Sequence, residues 1–184
     1  MKTMRRCAST GLRAVMASAL LVSAVAMAAA ENEGSTLRFK GGIGVIPVSS
    51  GQGAAATATV VNRNIVREVQ PAGQPWVIDE LDAKVRANGR ITVEGKGLIL
   101  AGGNNAGVSG GLSVFATLIC QATAPFTQSS TTLAGVQLSP TGDFRIDDTL
   151  APLPPAICAS PMLLIRNTAN AAWFAVGIPR PNND

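Results

Sequence analysis

The chain has 184 residues, 47% of them hydrophobic and 14% charged, with no histidine and no tyrosine. Without histidine there is no Ser–His–Asp or Cys–His nucleophile and no His-based zinc site. Its 15 Lys and Arg exceed its 11 Asp and Glu, but Lys2, Arg5, Arg6 and Arg13 are four of those cations, so residues 31–184 balance at eleven against eleven. Nucleic-acid binding needs clustered basic residues. Here the cations are scattered, apart from Lys84, Arg86 and Arg90, so no nucleic-acid partner is expected.

Residues 1–30 read as a cleavable secretory signal. A basic head is followed by the apolar run Val15–Met27 and by the small-residue exits Ala26-Met27-Ala28 and Ala28-Ala29-Ala30. That order directs export and cleavage near residues 28–30. Cys7 falls inside the signal without a lipobox before it, and the residues after Arg5-Arg6 do not fit twin-arginine export. The mature chain, 31–184, is then one domain in an oxidising space: periplasm, cell surface or medium. It has no second apolar run of membrane-spanning length. Residues 31–36 and 179–184 read as loose tails.

Leu37–Lys40, Ile43–Val48 and Ala56–Val66 read as strands, with Val48–Ala54 a flexible loop among them. Gln70–Pro75 is a turn-rich connection. Residues 76–86 alternate, with Trp76, Ile78, Ala83 and Val85 among polar neighbours. Asn88-Gly89 then signals a hairpin, as a type I′ turn needs positive φ at both central residues. Arg90–Leu100 returns, and Gly95-Lys96-Gly97 within it implies a bulge or bend. Residues 101–111 form a Gly/Asn loop, and Leu112–Gln121 sets Leu112, Val114, Ala116, Leu118 and Cys120 on one face. Thr131–Leu138 and Asp143–Thr149 flank the turn Ser139-Pro140-Thr141-Gly142. The proline-rich stretch Leu150–Pro155 leads to Met162–Arg166 and Ala172–Ile178. No segment sustains a helical period. The expected fold is all-β: a single antiparallel, immunoglobulin-like β-sandwich of about nine or ten strands.

Cys120 and Cys158 are the two cysteines left after export, and one disulfide between them is expected, closing a loop of about 38 residues. The CxxC spacing of redox enzymes is absent.

Candidate chemistry is sparse. Gly107-Val108-Ser109-Gly110-Gly111 matches the nucleophile-elbow string, but no histidine can activate Ser109 and no helix follows it. Nothing sets Lys40, Lys84 or Lys96 beside a serine as a base. Asp147-Asp148 and the set Asp79, Glu80 and Asp82 would have to supply any glycosidase pair or calcium site. On a strand Asp147 and Asp148 point to opposite faces, and Asp79, Glu80 and Asp82 read as cross-strand partners of Lys84 and Arg86. Trp76 and Trp173 each begin an apolar alternating run, which places them in the core. The loop at Gly102–Gly111 lacks the lysine of a phosphate-binding loop. Its Asn104, Asn105 and Ser109 are the candidate binding residues, and no catalytic residue, metal or cofactor is assigned.

Several stretches occur in a fixed order: Asn64-Ile-Val-Arg67, Gln74-Pro-Trp-Val-Ile78, Val93-Glu-Gly-Lys-Gly-Leu98, Thr117-Leu-Ile-Cys120, Cys158, Leu163-Leu-Ile-Arg166 and Trp173-Phe-Ala175. This order resembles a group of uncharacterised secreted bacterial all-β proteins. The resemblance implies an exported single domain with one disulfide, and it implies no activity.

The expected function is that of a non-enzymatic binding or structural module, whose partner is an unknown protein or glycan at the cell surface. Two alternatives stand beside it. One is a carbohydrate-binding or carboxylate-based glycan-active domain, which requires Trp76 or Trp173 exposed beside a carboxylate. The other is a self-assembling surface protein joined through an unpaired edge strand, since the mature chain carries little repulsive charge.

Overall fold

The structure, a computed structural model, describes residues 36–47 and 64–181. The expected signal at 1–30, the loop at 48–54 and the strand residues 56–63 lie outside the described residues. Eleven strands follow in chain order: β1 (Leu37–Gly44), β2 (Trp76–Val77), β3 (Glu80–Val85), β4 (Arg90–Lys96), β5 (Ile99–Leu100), β6 (Ser113–Ile119), β7 (Gln128–Ser130), β8 (Val136–Gln137), β9 (Phe144–Thr149), β10 (Met162–Asn167) and β11 (Trp173–Arg180). The domain is all-β, as the alternating pattern implies.

Eight strands pair in the order β7-β6-β10-β11-β1-β3-β4-β9, β8 adds to β6, and β2 and β5 form a separate ribbon. Every strand-to-strand pairing among the described residues is antiparallel, and an isolated parallel bridge joins Pro71 to Trp173. The sheet curls until its ends meet. Ser130 at the end of β7 and Ala151 just past β9 exchange both backbone hydrogen bonds, each 2.9 Å. The expected immunoglobulin-like sandwich needs two separate facing sheets. Here the pairing runs without a break from β7 to β9, and the result is a near-barrel.

Eight strands enclose only enough space for side chains to fill. The alternating residues supply them. Ala83, Val93 and Ile146 lie in register across β3, β4 and β9. Leu118 and Ala116 face Leu163 and Ile165 across β6 and β10, and all four are 0% exposed. Gly95 has its place for packing, not for bending: a Cβ there would sit 2.1 Å from the Phe144 ring. The bend comes at Gly97 (φ 64°), which separates β4 from β5.

Three expected elements differ in detail. At Asn88-Gly89 only the glycine has positive φ (82°). Gly89 donates to the Arg86 carbonyl, Arg86 donates to the Arg90 carbonyl, and the Arg90 N–H binds Asn88 Oδ1 at 3.0 Å. This is a three-residue hairpin loop with a glycine bulge, because the Asn88 side chain takes the N–H that a two-residue turn would leave to the ladder. The two-residue hairpin lies elsewhere. Val66 and Val69 exchange hydrogen bonds around Arg67 and Glu68, whose φ values are 48° and 69°. The expected strand Thr131–Leu138 is mostly turn, closed by Gly135 donating to the Thr132 carbonyl, and the pairing falls to β7 before it and β8 within it. The turn at Ser139–Gly142 forms as read, with Gly142 donating to the Ser139 carbonyl at 2.9 Å. β11 continues through Pro179 and Arg180, where the sequence implies a loose tail.

Cys120 and Cys158 are bonded, with Cα atoms 4.7 Å apart. The bridge joins the end of β6 to the approach to β10. Arg67 braces the same corner, donating to the Ile119 carbonyl at 2.7 Å, the Ser160 carbonyl at 2.6 Å and Ser160 Oγ at 2.6 Å.

Candidate functional site: a guanidinium cleft on the outer face of the barrel

The candidate residues of the Gly/Asn loop do not converge on one site. Asn104 and Asn105 are exposed, whereas Ser109 is buried and its Oγ accepts the Gly111 N–H at 3.4 Å. The loop folds on itself, with Leu100 bonded to Val108 and Gly107 back to Leu100.

Three of the carboxylates form a ladder of cross-strand pairs outside β3, β4 and β9. Lys96 meets Glu80 at 2.7 Å, Arg90 meets Asp147 at 2.8 Å, and Arg145 meets Glu94. Glu80, which the sequence placed beside Lys84 and Arg86, is thus met by Lys96 across β3 and β4. Asp79, Glu80, Asp82 and Glu94 share an open groove of about 410 Å³ with Lys40 and Lys96. The ammonium of Lys96 is held above its ordinary value by its hydrogen bond to Glu80. Among the described residues no group of three or more His, Cys, Asp or Glu is placed to hold a metal ion. Asp147 lies opposite Thr92 and Asp148 opposite Ile91, so these neighbours do point to opposite faces.

Both tryptophans are buried, at 3% exposure each. Trp76 stacks on Phe174 with ring centroids 4.0 Å apart, and Trp173 Nε1 donates to the Asn64 carbonyl. Neither offers a face to a sugar.

A different cleft, of about 580 Å³, opens where β6, β7 and β10 meet the seam. Phe115 on β6 and Arg166 on β10 line it, and with the buried Thr117 they lie on the face opposite Ala116, Leu118 and Ile165. Arg166 is only 9% exposed. Its guanidinium lies over the Phe115 ring, 5.2 Å from the centroid. Nε donates to the Ala171 carbonyl at 2.8 Å, and Nη1 donates to Gln128 Oε1 at 2.7 Å and Thr117 Oγ1 at 3.3 Å. Ala171 reaches that position through a left-handed backbone, φ 57°. Among the described residues Nη2 has no hydrogen-bond partner, yet no buried side-chain nitrogen or oxygen is left unsatisfied. Nη2 therefore reaches solvent through the cleft. Burial pushes the guanidinium pKa down, and no carboxylate offsets that. Being far above neutrality to begin with, the group stays charged.

The rest of the lining is neutral: Ser130, Thr132 and Thr149, with Leu133, Ala151 and Thr131, whose hydroxyl is bound to the Ala116 main chain. Asp148 holds the rim from behind, accepting the Thr132 N–H at 2.8 Å and its neighbour Thr149 N–H at 2.7 Å. Those bonds, the first above all, hold its carboxyl below the ordinary value. A lone buried cation among hydroxyls can bind and orient an anion. It offers no general base and no nucleophile with one beside it. The sequence held one trace of this site: Arg166 ends an apolar run in a strand buried on both faces.

No protein-family model, no curated protein and no solved structure matches the chain.

Proposed function

We propose that this protein is an exported, non-enzymatic binding domain whose site is the Arg166 cleft. The observation that carries the reading is the buried guanidinium without a carboxylate partner. Desolvating a cation costs several kcal/mol unless an anion answers it. A bound anion would answer this one, and the cleft gives it access to Nη2. The signal-like residues 1–30, the disulfide and the resemblance to secreted all-β proteins support export. The neutral lining supports binding without chemistry.

The test is an amide-resolved NMR titration of the purified protein with sodium acetate and with sodium sulfate at constant ionic strength. Shifts should centre on Ser130, Thr132, Ala151 and Ala171 and vanish in Arg166→Met. Shifts confined to the charged groove around Lys40 and Lys96, or unchanged by the substitution, would refute the proposal.

A further inference from the structure

We infer that the ligand is a hydroxylated monocarboxylate of the acidic-sugar class, a hexuronate or a chain end that carries one. This rests on the proposed role of the Arg166 cleft.

Charge comes first. Arg166 is the one cation in the lining, which holds no acid; Asp148 stands behind the rim, its carboxylate spent on the Thr132 and Thr149 N–H groups. One negative charge is balanced there, while a phosphate dianion would keep an uncompensated charge in a partly dry site. The donor geometry is also restrictive. Nε and Nη1 are committed to Ala171, Gln128 and Thr117, so the forked two-nitrogen grip on a carboxylate is closed. Only the Nη2 hydrogens remain, which is a one-nitrogen contact. The ligand must draw its remaining hold from elsewhere in the cleft.

What else the cleft offers is hydroxyl groups on three different segments: Ser130 on β7, Thr132 in the following turn and Thr149 on β9. A hydroxyl both donates and accepts, so such a set complements alcohol groups better than a bare anion or an alkyl chain. The Ser130 hydroxyl is already engaged with Thr117 at 2.9 Å, which links it to the guanidinium. Leu133, 64% exposed, supplies an apolar side that the C–H face of a sugar ring can cover. The volume of about 580 Å³ suits a small organic molecule and is far larger than an inorganic ion needs.

Sodium glucuronate, glucose, sodium hexanoate and sodium sulfate should be titrated in parallel into the purified protein, Arg166→Met and Thr149→Val. Thr149 is exposed, so its substitution leaves the fold intact. Glucuronate should bind at least about tenfold tighter than each of the other three, since it alone meets both the charge and the hydroxyls. Arg166→Met should remove that advantage, and Thr149→Val should weaken glucuronate severalfold while leaving hexanoate unchanged. Hexanoate or sulfate binding as well as glucuronate, in an Arg166-dependent way, would overturn the acidic-sugar inference and leave the anion cleft standing. Glucose binding as well as glucuronate, or no binding of any probe, would overturn both. If Arg166→Met does not fold, the contrast between glucuronate and hexanoate in Thr149→Val decides alone.

Discussion

Replacing both Cys120 and Cys158 by serine should cost the domain about 4 kcal/mol. The bridge spans a sequence separation of 38. Loop-closure entropy for that length is roughly 13 cal/mol/K, or about 4 kcal/mol at room temperature. The loop it closes is not a passive one. It contains β7, β8 and β9, and with them both residues of the seam, Ser130 and Ala151. In the unfolded chain the bridge therefore restricts the very segment that must return to both ends of the sheet. The folded corner keeps other ties: Ser160 donates to the Cys120 carbonyl at 3.1 Å, and Arg67 grips Ile119 and Ser160. The double variant should accordingly fold to the same structure and lose stability only. Urea unfolding of the oxidised protein and the double variant measures this directly. At a slope of about 2 kcal/mol/M the midpoint should fall by about 2 M with the slope little changed. A loss under about 1 kcal/mol would show that the cross-link does not act through the unfolded chain.

Gly95→Ala should destabilise by about 1–3 kcal/mol through overpacking, because its Cβ would fall 2.1 Å from a ring that is itself in the core. Thermal denaturation should show a drop of several degrees, and adding Phe144→Leu should recover part of it; no recovery would place the strain elsewhere. Arg67→Met removes three hydrogen bonds of 2.6–2.7 Å and leaves the left-handed turn unsupported, for a loss of about 2 kcal/mol in urea unfolding. A loss below about 0.5 kcal/mol would remove Arg67 as a brace. Asp148 gives a pH signature. Its carboxyl is held below the ordinary 3.8, so its contribution is complete above that value and is lost as pH falls through it toward the depressed folded value. The stability gap between the protein and Asp148→Asn should be widest near neutrality and shrink below about pH 4; a gap that widens in acid would contradict the assigned hydrogen bonds.

The strands were legible because they alternate. Phe144-Arg-Ile-Asp147 and Ala83-Lys-Val85 bury every second residue as their pattern dictates. The disulfide was legible by count. The curl of the sheet was not, because it depends on a seam of two backbone hydrogen bonds between Ser130 and Ala151, which no side-chain pattern encodes. The two-residue turn at Arg67-Glu68 was hidden for a related reason. Those residues avoid left-handed backbone when nothing holds them, and what holds Arg67 is a guanidinium reaching 93 residues along the chain to Ser160. The cleft was hidden most completely. Its residues come from positions 115–171, and none belongs to a recognisable motif. The loop that looked available, Gly102–Gly111, spends its backbone groups on its own turns.

Arg67 and Arg166 are both held by hydrogen bonds to neutral oxygens, and the contrast between them separates structure from function. Each makes three hydrogen bonds. Those of Arg67 go to two main-chain carbonyls and a serine, at a corner already tied by a disulfide, and the side chain is open enough for water to solvate its remaining N–H groups. Bracing explains all of it. Those of Arg166 include two side-chain oxygens, Thr117 and Gln128, that hold the group over Phe115 and leave Nη2 facing a cleft. A brace in that place needs no charge. Methionine would fill the volume without the desolvation cost; of the groups it abandons, Gln128 and Ala171 line the cleft, where water can replace the guanidinium, and Thr117 keeps its bond to Ser130. Arg166→Met should therefore cost little stability, in contrast to Arg67→Met, while abolishing anion binding. If both substitutions were equally destabilising, Arg166 would be a second brace, and the cleft would lose its claim to be a site.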